Sequence, residues 1–163
     1  MNALKGKVAI VTGASPGIGR ATALLFAIEG AKVVVTARRR PELRTLVDEI
    51  SALGGDAIAV DGDVRSEAHA KSLVDIAIER YGALDIAFNN AGTLGPIRNT
   101  PEVSLREWND TLETNLTSAF LAAKYQLPAL TKRGGSVIFT STFVGYASGF
   151  AGAPHTRRVK RES

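Results

Sequence analysis

The chain contains no cysteine, which removes disulfide frameworks and thiolate chemistry together and fits a reducing compartment. It has no apolar run long enough to span a bilayer. Its opening residues, Met-Asn-Ala-Leu-Lys-Gly-Lys, lack the pattern of a secretory leader, so a cytoplasmic location is expected. Aromatic residues make up only 6%, and none interleaves the basic residues near the C-terminus, which disfavours base stacking and nucleic-acid binding. Charge distribution points the same way: of the formal net charge of +4, most sits in residues 153–163, where Arg157, Arg158, Lys160 and Arg161 face only Glu162. Internal repeats and low-complexity segments are absent, and no metal site is expected. What remains is a chain of 163 residues, 45% apolar, with length and composition for one globular domain.

The most informative stretch is Val8-Ala-Ile-Val-Thr-Gly-Ala-Ser-Pro-Gly-Ile-Gly-Arg20. A β-branched apolar run ends in a glycine-spaced turn, and a helical pattern of Ile18, Ala21, Leu25 and Ile28 begins at once, so the stretch predicts strand, tight turn and helix. Glycines allow a sharp turn and let a ligand approach bare backbone. The helix that follows directs unpaired N–H groups and the positive end of its dipole over the turn, which suits a pyrophosphate. No Gly-Lys-Ser/Thr follows the turn, which excludes a triphosphate loop with Mg²⁺.

Strands and helices then alternate. Lys32–Thr36 is a second strand; Pro41 opens a helix with the stripe Leu43, Leu46, Val47, Ile50 and Leu53, and Gly54-Gly55 closes it. Ala57–Val60 is a third strand, followed by a helix carrying Leu73, Val74, Ala77, Ile78 and Tyr81 on one face. Leu84–Phe88 is a fourth strand, a long helix is expected from about Val103 to Tyr125, and Ser136–Thr140 is a fifth strand. Strands too apolar to face water imply an α/β fold with a doubly wound parallel sheet covered on both faces, joined by right-handed crossovers. The expected strand order is 3-2-1-4-5, with a ligand across the carboxyl ends of strands 1 and 4.

Dinucleotide sites commonly place a carboxylate at the end of the second strand, where it bonds ribose hydroxyls and repels a 2′-phosphate. Here the chain reads Ala37-Arg-Arg-Arg40 with no carboxylate. Arg38 can offer a charge-assisted contact to that phosphate, which leans the choice toward NADP over NAD. Asn115 falls on the helical stripe Trp108, Leu112, Asn115 and Ala119, where a carboxamide must find partners or cost about 1–3 kcal/mol.

The loop Thr12-Gly-Ala-Ser-Pro-Gly-Ile-Gly resembles the cofactor loop of the short-chain dehydrogenase/reductase family, and Asn89-Asn-Ala-Gly92 after the fourth strand is similar to that family's Asn-Asn-Ala-Gly. The resemblance implies a Rossmann-type fold over residues 1–152. Thr12, Gly13, Ser15, Gly17, Ile18, Gly19 and Arg38 would contact the cofactor, Asp63 and Val64 its adenine, and Asn89, Ala91 and Gly92 its ribose. It further implies that Asn115 bends its helix and holds a water in a proton relay, and that Ser141 or Thr142 bonds the carbonyl of a small alcohol or ketone substrate.

The family also carries Tyr-x-x-x-Lys on its next helix, where the tyrosine protonates the carbonyl oxygen and the lysine lowers its pKa while holding the nicotinamide ribose. That pattern is missing: four residues after Tyr81, Tyr125 and Tyr146 stand Asp85, Ala129 and Phe150. Re-read one base out of phase with permitted codons, the segment from His155 spells Tyr-Ala-Ala-Ser-Lys-Ala-Gly-Ile, placing a tyrosine at position 156 and a lysine at 160. Residues 153–163 are therefore expected to be a frameshifted basic tail on an incomplete domain, with turnover lost and the homo-oligomer that the resemblance implies compromised. The alternatives are a genuine short, non-catalytic dinucleotide-binding protein and a methyltransferase. The last shares the fold but normally carries the acidic residue missing here after the second strand.

Overall fold

A computed structural model describes residues 2–142, so the expected tail and the positions of the re-read Tyr and Lys lie outside the described residues. Five parallel strands form one sheet in the order β3-β2-β1-β4-β5, as expected. They are β1 (Val8–Thr12), β2 (Lys32–Ala37), β3 (Asp56–Asp61), β4 (Ile86–Asn89) and β5 (Ser136–Phe139). Successive side chains alternate between the two faces of a strand, and β1 uses both. Ala9 and Val11 pack with Val33, Val35, Leu43, Leu46 and Ile50 on one side. Val8 and Ile10 pack with Val34, Leu73, Ala77, Leu84 and Leu130 on the other.

The first face is covered by α1 (Ile18–Ile28) and α2 (Arg40–Ala52). In α2 the expected stripe holds, with Leu43, Leu46 and Ile50 fully buried, while Leu53 is exposed. In α1 the expected face is turned outward: Ile18, Ala21, Leu25 and Ile28 are exposed, and Gly19, Ala23 and Ala27 face the sheet. The cause is close approach. A side chain at Gly19 would collide with the carbonyl of Gly13, so only the small-residue face lets the helix start directly on the turn.

The second face is covered by α3 (Glu67–Tyr81) and by a long bent helix. Ser66 caps α3 by accepting from the N–H of His69. The bent helix opens with a reciprocal Ser104–Glu107 capping box and runs as α4 (Leu105–Leu112), a π-helical segment (Glu113–Thr117) and α5 (Ser118–Leu130). It thus extends past the expected end near Tyr125, through Pro128, with Gln126 and Leu130 buried in its last turns. At the N-terminal end of the sheet the buried Asp85 accepts from the N–H of Val8 at 3.0 Å and from Arg133 Nε at 3.1 Å, joining β1, the approach to β4 and the 3₁₀ turn (Thr131–Arg133) that follows α5.

Candidate functional site

The carboxyl ends of the strands open onto a groove of about 690 Å³, lined by Gly13, Ser15, Arg38, Gly62–Val64, Asn90–Gly92 and Thr114. The glycine turn forms one wall. Gly13 has φ +68°, and a Cβ there would stand 3.0 Å from the backbone of Ala91, so the turn packs directly on the segment that follows β4. Gly17, at φ +72°, precedes α1 without a side-chain cap. The first amide of α1 to find a carbonyl partner within the turn is Ala21, bonded to Gly17 O. The N–H groups of Ile18, Gly19 and Arg20 therefore lack intrahelical partners and carry the positive end of the dipole, which suits an anion.

The basic wall is sorted by its neighbours. Arg39 pairs with Glu42 at 3.0 Å and donates to Ser15 Oγ at 3.3 Å, and Arg40 lies 3.6 Å from Asp61. Arg38 forms no hydrogen bond or ion pair among the described residues and lines the groove, its charge felt by Asp63. Asp63 is engaged by its own chain: Arg65 donates from Nε to both carboxylate oxygens and from Nη2 to one of them at 2.7 Å. These bonds hold the Asp63 carboxyl below its ordinary range against the opposing effect of burial. Arg65 also reaches Asp110 at 3.1 Å and Glu113 at 3.8 Å, tying the β3–α3 turn to the bent helix. Sequence reasoning missed this latch, because nothing local marks Arg65 as facing residues so distant in the chain.

Three candidates stand elsewhere than expected. The buried Thr12 hydroxyl accepts from the N–H groups of Asn90 and Ala91 at 3.0 and 3.1 Å, bracing the groove from below. Asn89 turns away from the groove into a paired amide contact with Gln126, at 2.7 and 3.0 Å; Asn90 takes the groove position instead. Asn115 is exposed rather than on an apolar stripe, because the wider π turn shifts the helical phase. Its carboxamide accepts from Thr93 N and donates to Thr93 O, both at 2.8 Å.

A second cavity of about 200 Å³ lies beside the groove, and Val64 and Ala91 line both. It brings together Asn115, Ser141, His69, Asn89 and Gln126. Thr142 does not line it. Gln126 carried no signal in the sequence, being a lone amide in a helix. Among the described residues no group of three or more His, Cys, Asp or Glu is placed to hold a metal ion, and no helix is long and apolar enough to cross a membrane.

The family model of short chain dehydrogenases matches residues 7–155. Cyclohexanol dehydrogenase of Acinetobacter sp. (strain SE19) is 39% identical over 160 residues, spanning 94% of this chain and 64% of that protein. The 7alpha-hydroxysteroid dehydrogenase of Escherichia coli (strain K12) is 38% identical over 165 residues, spanning 95% and 64%. A solved 7 alpha-hydroxysteroid dehydrogenase complexed with NADH and 7-oxo glycochenodeoxycholic acid superposes with a TM-score of 0.87 at 33% identity, covering 96% of this chain and 61% of that one. A 3-ketoacyl-ACP reductase from Sinorhizobium meliloti 1021 gives the same TM-score at 35% identity, covering 92% and 59%. This chain spans under two thirds of the length of each of these proteins.

Proposed function

The chain belongs to the short chain dehydrogenase family, and from that premise we propose that its groove binds a nicotinamide dinucleotide, NADPH in preference to NADH, on a scaffold for hydride transfer to or from an alcohol or carbonyl compound. The observation that carries this reading is the groove itself, set at the carboxyl ends of β1 to β4, with the glycine turn that leads into the uncapped α1 at one wall and the unpaired Arg38 at another. The amides of Ile18 and Gly19 hold the pyrophosphate. Arg38 meets the 2′-phosphate, and no carboxylate at the end of β2 opposes it. Asp63, with part of its acceptor capacity taken by Arg65, keeps lone pairs for the adenine amine, and Val64 lies beside it. Ala91 and Gly92 face the ribose.

The nicotinamide supplies or accepts the hydride when bound. At the substrate end, Ser141 is favoured over Thr142 as the hydroxyl for a carbonyl oxygen, because it shares a cavity with Asn115. Tyr-x-x-x-Lys occurs nowhere in these 163 residues, and on this reading the stretch binds cofactor without that family acid. Fluorescence titration with NADPH and NADH tests the proposal. Tighter binding of NADPH is expected, equal affinities overturn the cofactor choice, and binding of neither overturns the reading.

A further inference from the structure

Gly62, Asp63 and Val64 form a partition along the groove, and Val64 also lines the smaller cavity, as does His69. Behind it stands His69, in the first turn of α3 and half-buried. Its Nε2 lies 2.9 Å from Oγ1 of the fully buried Thr36 in β2, and its Nδ1 and Cε1 press on Gly62 so closely that a Cβ there would collide with the ring. The partition has one main-chain tie to β2, from Gly62 N to Ala37 O at 3.1 Å. The imidazole adds a second link, hydrogen-bonded to Thr36 of β2 and packed against Gly62, made by a titratable side chain.

Resting on the dinucleotide reading above, we propose that neutral His69 is a positioning residue for the adenosine half of the groove: it props the Gly62–Val64 partition against β2, and protonating the ring withdraws the prop and weakens dinucleotide binding. The groups around the ring leave burial as the dominant influence. Asp63 and Asp61 attract a proton to it, but Asp63 is held by Arg65 and Asp61 lies beside Arg40. On α3 itself, Glu67 is turned to Lys124 and Tyr125 of α5. Burial accordingly pushes the ring below its ordinary value of 6.5. The sign follows. Above that value the ring is neutral whether the partition is closed or open, and no penalty arises. As pH falls through it, the open form takes the proton more readily, so the closed form loses ground.

The probe is ADP-ribose, which carries adenosine and pyrophosphate without a 2′-phosphate that would titrate in the same range. Calorimetry on the whole chain is expected to show affinity falling about three- to tenfold between pH 7.5 and 5, the cost of holding a charged ring in a half-buried place. His69→Gln should flatten the profile, while replacing His155 by Asn should leave it intact. Gly62→Ala, which displaces the ring, should weaken binding at pH 7.5 as acid does. A profile unchanged by His69→Gln, or native affinity in Gly62→Ala, overturns the inference. If the native chain binds no ADP-ribose, the dinucleotide reading has failed. Amide exchange then decides the prop by itself: residues 61–65 should exchange faster in His69→Ala than in the native chain, and equal rates overturn it.

Discussion

β1 is buried along its whole length, whereas β5, two strands away in the sheet, exposes Ile138 and Phe139. The division runs through the candidate site. The glycine turn and Arg38 are mounted on β1 and β2, buried between helices on both faces, and Gly62–Val64 follow the half-buried edge strand β3. Asn115 and Ser141 are mounted on the bent helix and the residues just past β5, in exposed structure. In the proposed reading, recognition of the adenosine half and chemistry at the nicotinamide half are thus assigned to parts with different packing, and each is expected to be separable from the other.

The largest effect that separates them is on turnover. NADPH oxidation over a panel of carbonyl compounds should be slower in this chain than in a frame-restored version carrying Tyr-Ala-Ala-Ser-Lys by about 10²–10⁴-fold, the usual contribution of a positioned acid; comparable rates would mean another residue supplies the proton. Next is stability. Ile10→Ala in the centre of β1 should cost about 2–5 kcal/mol in denaturant unfolding, whereas Ile138→Ala in β5 should stay within about 0.5 kcal/mol, and similar costs would erase the distinction between the regions. Gly19→Ala forces a methyl onto the Gly13 carbonyl and should cost about 1–3 kcal/mol, with loss of nucleotide affinity. Smallest, Arg38→Ala should weaken NADPH by about tenfold while leaving NADH nearly unchanged; a parallel loss of both would assign Arg38 to general electrostatics.

The fold was legible because its determinants are local and periodic: buried β-branched runs, a proline opening α2 and glycines closing helices leave marks within a few residues. Much of the lining of the groove was legible for the same reason, since the glycine turn and the Asn90–Gly92 segment are each contiguous in the chain. What could not be read depends on phase or on distance. The π segment lies inside an unbroken helical pattern, and one residue of extra width moved Asn115 off its stripe and onto Thr93. In α1 hydrophobicity suggested one face, but steric clearance above Gly13 selected the opposite one. The Asn89–Gln126 pair, the Arg65 latch and the His69–Thr36 contact each join residues far apart in sequence.

The strand order also governs what a ribosome would release. β1 pairs on one edge with β2, but its other edge pairs with β4, and Ala9 must wait for Ile86. The unit from β1 to β3 is complete once Asp61 has left the exit tunnel, while the second edge of β1 stands as an unpaired ladder until β4 emerges. At ordinary elongation speeds of about 5–20 residues per second that interval lasts roughly one to five seconds, and the Asp85 contact to Val8 can form only near its end. Codon choice across residues 62–89 therefore sets how long a nascent chain presents an open edge to its neighbours on the same polysome, a hazard written in the message and invisible in the finished fold.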